Sequence, residues 1–296
     1  MQTLKHMTLL LLLPLLLCLG AFALPETAAA EESAGWYWLS SDDKYSNYVD
    51  LSSITTTSSV TTDHGVVPTA IEAYVKTGYS YEGADETIRS YGIGSVIPNP
   101  NTLSYSVALL RVNPQNRTVQ YVKEDFYDAD GRVLWSHTNG REKEINSQSF
   151  EEQYYTEIID HVFHQGESAR RVAKDRWHDL YTHEQDGLTT TAIADTTTMR
   201  MKGENLIYWE WDTVKDATGN TLEIKFLKKA VNLMQGTERI VSARYWSGTT
   251  GWKDMEDDLD GSYRAIKAGT PESDGLRVLR AYARGFSTWV NRYSIN

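Results

Sequence analysis

The stretch "LSYSVALLRVNPQNRTVQYVKEDFY", residues 103–127, is written a second time as "LEIKFLKKAVNLMQGTERIVSARYW", residues 222–246. The two align without a gap at one constant offset. Leu103/Leu222, Val112/Val231, Asn113/Asn232, Thr118/Thr237 and Val122/Val241 are identical, and apolar character persists at Tyr105/Ile224, Val107/Phe226, Ala108/Leu227, Tyr121/Ile240, Phe126/Tyr245 and Tyr127/Trp246. Each copy is two strand-like runs joined by a polar turn. The turn is Asn113-Pro114-Gln115-Asn116-Arg117 in the first copy and contains Gly236 in the second. Such spacing predicts a β-hairpin, twice over.

The match extends outward with small gaps. A second turn follows each hairpin, Asp128-Ala129-Asp130-Gly131 and then Ser247-Gly248-Thr249-Thr250-Gly251, with Trp135 and Trp252 soon after. Upstream, "YVDLSSI" (48–54) faces "AIADTTTM" (192–199), placing Asp50 over Asp195, and "TAIEAYVKT" (69–77) faces "NLIYWEWDT" (205–213). Downstream, each copy ends in a predicted helix. Ser149-Phe150-Glu151-Glu152 reads as a capping box opening a helix with Tyr155, Ile158, Ile159 and Val162 on one side. Thr270-Pro271-Glu272 places proline at a first helical position, and Leu276, Leu279, Ala283, Phe286 and Val290 then fall on one stripe. An amphipathic helix laid on an antiparallel sheet buries both apolar faces. The expected fold is therefore α+β: two tandem repeats, 36–166 and 177–296, each an antiparallel β-sheet meander with a C-terminal α-helix packed on one face. The polar stretch "HQGESARRVAKDR" joins them or extends the first helix.

Residues 1–30 read as a secretory signal peptide: Lys5 and His6, an apolar run from Met7 to about Leu24, then Ala21-Phe22-Ala23 and Ala28-Ala29-Ala30 as cleavage patterns ending at 23 and 30. The competing reading is an uncleaved membrane anchor, for which the run is of borderline length. No second apolar run of that length follows, so no membrane span is expected in the mature chain. Cys18 is the only cysteine and lies inside the leader, so the mature chain carries no disulfide and relies on burial for stability. The formal net charge of −11 repels phosphate backbones, which argues against nucleic acid as a partner. Nine Trp and 18 Tyr form a heavy aromatic load. The expected location is extracytoplasmic: secreted, periplasmic or on the cell surface.

"WYWLSSDDKYSNYVDLSSI", then "AYVKT", a hairpin, a glycine turn and a closing helix resemble the bacterial surface-adhesin E-type domain. The resemblance covers the first unit well and the second more loosely. It rests on a tryptophan, a Tyr-x-Asp-x-x-Ser-Ile element and an apolar-Lys strand. It implies an exported protein that binds host matrix or plasma proteins through exposed surface. The chain departs from that family in lacking the cysteine pair that the family can carry and in holding two copies.

The candidates for chemistry are few. Asp160, His161, His164, His178 and His183 crowd one span and suggest zinc; solvated helix-end histidines explain them as well. "DMEDDLDG" (254–261) suggests a calcium loop, but a loop counted from Glu256 puts Lys267 where a bidentate carboxylate belongs. Asp50 and Asp195 recur at matching places. Turn capping suits them better than acid–base catalysis, which needs two different environments in one site. No serine elbow, phosphate-cradling loop or cysteine nucleophile is present. Ile207, Trp209 and Trp211 share one strand face, and Tyr208, Glu210 and Asp212 the other. Trp209 and Trp211 form a binding patch if exposed and core if they lie under the helix. The reading is a non-enzymatic surface-binding protein of a bacterial envelope with no cofactor. Its alternative is an envelope hydrolase or small-ligand receptor with a site between the two repeats.

Overall fold

The hairpin written twice forms twice, with the same register. In a computed structural model of the chain, which describes residues 35–255 and 259–295, the first half contains β1 (Trp36–Ser41), β2 (Tyr45–Asp50), β3 (Thr55–Thr62), β4 (Gly65–Tyr79), α1 (Tyr81–Tyr91), β5 (Tyr105–Asn113), β6 (Thr118–Tyr127), β7 (Val133–Thr138), β8 (Lys143–Glu144) and α2 (Glu152–Phe163). Helix α3 (Gly166–Lys174) leads into β9 (Trp177–Gln185), β10 (Leu188–Lys202), β11 (Asn205–Lys215), β12 (Thr221–Asn232), β13 (Thr237–Ser247), β14 (Gly251–Asp254), β15 (Arg264–Ala265), α4 (Pro271–Gly285) and α5 (Ser287–Val290). Residues 35–296 belong to one compact unit.

In the hairpin β5–β6, Val112 pairs with Val119 and Leu110 with Tyr121, and a bulge falls between Leu109 and Leu110. In β12–β13, Val231 pairs with Glu238 and Lys229 with Ile240, and the bulge falls between Lys228 and Lys229. Every one of these residues stands at the offset found in the sequence. The turns match too. Arg117 (φ 55°) and Gly236 (φ 66°) both adopt the left-handed conformation, and their carbonyls accept from Ile145 N (2.8 Å) and Ile266 N (2.9 Å). The short strands β8 and β15 then pair at corresponding positions, Thr118 with Glu144 and Thr237 with Ala265. The sheets run β1-β2-β4-β5-β6-β7 and β9-β10-β11-β12-β13-β14, both antiparallel, with β3 added to β4 in the first.

The Asp-led segments build one local motif in both halves. Asp50 Oδ1 accepts from Ser52 N (3.0 Å) and Oγ (2.6 Å); Asp195 Oδ1 accepts from Thr197 N (3.1 Å) and Oγ1 (2.6 Å). The next hydroxyls, Ser53 Oγ and Thr198 Oγ1, take the backbone N–H of Tyr74 (2.8 Å) and Trp209 (3.0 Å). Tyr74 therefore corresponds to Trp209, not to Glu210 as the gapless alignment of 69–77 with 205–213 has it. The pairings Ile71–Val112 and Leu206–Val231 show the same one-residue correction. A slip of one residue exchanges the two faces of a strand.

Each helix buries apolar residues of its predicted stripe against its sheet. Tyr154, Tyr155, Ile158 and Ile159 of α2 bury against Val49, Ile71, Ala73, Leu110 and Val112. Leu276, Leu279 and Tyr282 of α4 bury against Ala194, Met199, Leu206, Tyr208 and Val231. Each fully buried aliphatic or aromatic side chain contributes roughly 1.5–3 kcal/mol. Tyr293, three residues after Val290 of the second cluster, inserts into the first.

Three local expectations are revised. The capping box does not form: Ser149 Oγ accepts from Asn146 N (2.9 Å), and the Glu152 carboxylate turns to Arg117 and Arg176. The polar joining stretch makes its own helix, α3, after a left-handed His164. Helix α1, which has no counterpart between β11 and β12, starts with Ser80 Oγ accepting from Gly83 N (3.2 Å) and stops at left-handed Gly92. It buries Ala84 and Ile88 with Ile93, Ile97, Leu103 and Phe126 beside α2 on the same sheet face. A Cβ at Gly83 would run into the Lys44 carbonyl oxygen, so only glycine lets α1 approach so closely.

Candidate functional site

Because both helices of the first half pack on one side of its sheet, the other side has no helix over it among the described residues. Strand alternation brings Trp38, Tyr48, Lys76, Val107 and Asp125 into one cross-strand row there, through the pairs Trp38–Tyr48, Tyr48–Lys76, Lys76–Val107 and Val107–Asp125. The neighbouring row holds Tyr105 and Tyr127, whose rings stack at 4.9 Å and 10°. Tyr74 lies on the same face. Trp38 is 54% exposed and Tyr74 47%. Charges on this face are already satisfied: Lys123–Asp125 at 2.6 Å, Arg111–Glu72 at 2.6 Å, and Lys76 Nζ 4.7 Å from the Tyr105 ring centroid. The result is a broad aromatic surface with little free charge.

The corresponding face of the second sheet is not free. Trp209 is buried there, stacked on Phe226 at 4.4 Å, with its indole N–H reaching Glu144 of β8 (3.4 Å). Glu144 also accepts from Lys228 (2.5 Å) and Arg200 (3.2 Å). Trp211 is half-buried, between Phe226 at 4.6 Å and Trp252 at 5.8 Å. Trp209 is thus neither an exposed patch nor core beneath α4; it packs at the seam between the halves. The face under α4 is the one carrying Tyr208 and Glu210.

That helix-covered face holds charge where the first sheet holds aliphatics. By register, Val75, Leu110 and Val119 correspond to Glu210, Lys229 and Glu238. Glu210 is fully buried and Lys229 nearly so, and they pair at 2.6 Å, with Glu238 at 3.6 Å and Tyr208 Oη donating to Glu210 (2.7 Å). Burial alone would lower the Lys229 ammonium; the Glu210, Asp212 and Glu238 carboxylates overcome it and hold it above its ordinary value. Burial, then the Glu210 charge, pushes the Asp212 carboxyl up to about 8.

Asp50 and Asp195 act as turn caps in separate sheets, and Asp195 further binds Arg176 at 2.8 Å. His178 packs on the Tyr282 ring and His183 meets Gln185, each in its own surroundings. Among the described residues no three His, Cys, Asp or Glu side chains come together to hold a metal ion. Of the acidic run, residues 256–258 lie outside the described residues, as does the leader 1–30; Asp260 accepts from Ser262 N (3.0 Å) and pairs with Arg264 (3.0 Å) as a turn cap. No described helix is long and apolar enough to cross a membrane.

The sequence reading missed the arginines of the seam. Arg117 donates to Ile145 O, Thr197 O and Glu152; Arg200 donates to Gln115 O, Thr198 O and Asn116 O. An arginine standing where the second hairpin has a left-handed glycine was the available signal for Arg117. No family model matches the chain, and no curated protein matches it.

Proposed function

We propose that the chain is an exported protein of a bacterial envelope that works by surface binding rather than catalysis. Its two halves descend from one duplicated sheet-and-helix module of the surface-adhesin E kind. The duplication is supported by the shared hairpin register, the bulge at corresponding positions and the matching Asp-led turns. The binding role rests on one observation: the helix-free face of the first sheet displays Trp38, Tyr48, Tyr74, Tyr105 and Tyr127 among charges that are already paired. Tyrosine and tryptophan on a surface with little free charge are the residues that anchor protein interfaces. The partner is an extracellular-matrix or plasma protein.

The test is saturable binding of the full chain to immobilised matrix and plasma proteins. Tyr74→Ser with Tyr127→Ser should weaken binding at least tenfold, and Trp252→Ala on the other sheet should leave it unchanged. Absence of saturable binding, or binding indifferent to the tyrosine pair, overturns the reading. Export rests on the 1–30 leader, and its deletion should retain the chain in the cytoplasm.

A further inference from the structure

Where α2, α3 and the chain's last turn meet β1 and β10, they enclose a groove of about 450 Å³. It is separate from the aromatic face. Leu39, Ile159, Ala169 and Ala173 give it an apolar floor. The charged groups on its walls differ in how well they are matched.

Arg117 and Arg176 are matched by two carboxylates: Glu152 pairs with both, at 2.9 and 2.7 Å, and Asp195 pairs with Arg176 at 2.8 Å. Arg292 is not. Among the described residues it forms no ion pair: it donates to the carbonyls of Met199 (2.7 Å), Trp289 (2.6 Å) and Thr197 (3.0 Å), and its Nε has no partner. Its guanidinium lies 3.7 Å from the Trp289 ring centroid and 4.7 Å from that of Tyr293, which fixes the cation in place.

The groove also carries unmatched acceptors. Glu157 and Asp160 line it, and no lysine does. Asp160 Oδ1 and Gln165 Oε1 are buried with no hydrogen-bond partner. The Asp160 carboxylate abuts the start of α3, since a Cβ at Gly166 would come within 2.6 Å of Oδ2. A buried acceptor left without a donor is unfavourable by about 1–3 kcal/mol, so such groups in a cavity wall mark where a ligand donor belongs.

We propose that this groove binds an apolar amino acid or short apolar peptide with free termini. The carboxylate lies against Arg292, the ammonium against Asp160, Glu157 and Gln165, and the apolar body over Leu39, Ile159 and the two alanines. An inorganic anion would satisfy only Arg292 and would face the carboxylates of Glu157 and Asp160. A fatty acid would leave the acceptors unmatched. A zwitterion with an apolar middle satisfies both, and the volume suits a ligand of two or three residues.

The experiment is titration of the full chain with trileucine, followed by calorimetry and by tryptophan fluorescence, which Trp289 in the groove wall makes responsive. N-acetyl-trileucine and trileucine amide are the comparison ligands. Free trileucine should bind at least tenfold more tightly than either capped form. Arg292→Gln should bring the free-to-amide ratio close to one while keeping the preference for a free amine; Asp160→Asn should do the reverse. Should Arg292→Gln fail to fold, Ala169→Trp, which fills the groove, should abolish binding with an unchanged circular-dichroism spectrum. No saturable binding of trileucine, equal binding of the capped peptides, or full binding by a folded Ala169→Trp variant overturns the proposal. None of these outcomes bears on the aromatic face.

Discussion

Lys229 Nζ lies 2.6 Å from Glu210 Oε1 beneath helix α4, at positions where the first sheet buries Leu110 and Val75. One backbone frame thus accepts either an aliphatic cluster or a buried ion pair. A buried pair is seldom more stabilising than well-packed hydrocarbon, but breaking one side of it is strongly unfavourable. Lys229→Met should therefore destabilise the fold by about 3–5 kcal/mol. The triple change Glu210→Val, Lys229→Leu and Glu238→Val, which copies the first sheet, should recover most of that loss. Urea unfolding of both variants decides; a Lys229→Met variant as stable as wild type contradicts the burial argument.

Asp212 gives the same cluster a pH dependence. Its folded pKa is about 8 against an ordinary 3.8, so the folded state holds a proton that the unfolded state releases. For a carboxyl shifted upward, stability is greatest below the unfolded value and falls as pH rises from about 4 to about 8. The steepest slope is about 1.4 kcal/mol per pH unit for one proton. Asp212→Asn should flatten the stability profile between pH 4 and 8. Parallel profiles for wild type and variant would contradict the assignment.

The paired hairpin turns respond oppositely to substitution. Gly236→Ala puts a Cβ at φ 66° and 3.3 Å from Leu276 Cδ2, and should lose about 1–2 kcal/mol. Arg117→Gly relieves the same backbone conformation but removes the bonds to Ile145 O, Thr197 O and Glu152. It should lose about 2–3 kcal/mol despite the easier turn. Thermal unfolding of the two variants separates backbone from side-chain effects.

Tryptophans on corresponding sheet faces should behave differently. Trp209→Ala empties a buried site against Phe226 and removes one of the three donors to Glu144, and should lose about 3–5 kcal/mol. Trp38→Ala on the exposed face should change stability by less than about 0.5 kcal/mol. Equal losses in denaturant titrations would mean that the two faces are covered alike.

Much of this architecture is legible in the sequence because hairpins and amphipathic helices are local. The offset of the two hairpins carries their register and even their bulges; the stripes of α2 and α4 name the buried Tyr155, Ile158, Ile159, Leu276 and Leu279 but miss Tyr154 and Tyr282, while Val162, Ala283 and Phe286 are only partly buried. "NLIYWEWDT" was misread by one residue for a physical reason. Its strand is covered on both faces, by α4 on one and by the first half on the other, so alternation cannot select a register. Helix α1 had its signals in Ser80 and Gly92, but its sequence is mostly polar and its buried face small. The ion cluster was visible in the aligned pairs Leu110/Lys229 and Val119/Glu238, where apolar character lapses in one of the two hairpins only. The groove was not legible, because Leu39, Asp160 and Arg292 meet only through tertiary packing.

The arginines that join the halves reach across mainly to peptide oxygens: Arg117 to Thr197, Arg200 to Gln115 and Asn116. A main-chain carbonyl has no proton to gain or lose in water, and arginine keeps its own far above neutrality. Acid that discharges Glu144 therefore removes its pairs with Lys228 and Arg200 but leaves these carbonyl contacts in place, so the two halves should stay joined, on fewer bonds, in surroundings acidic enough to loosen proteins held by ion pairs alone.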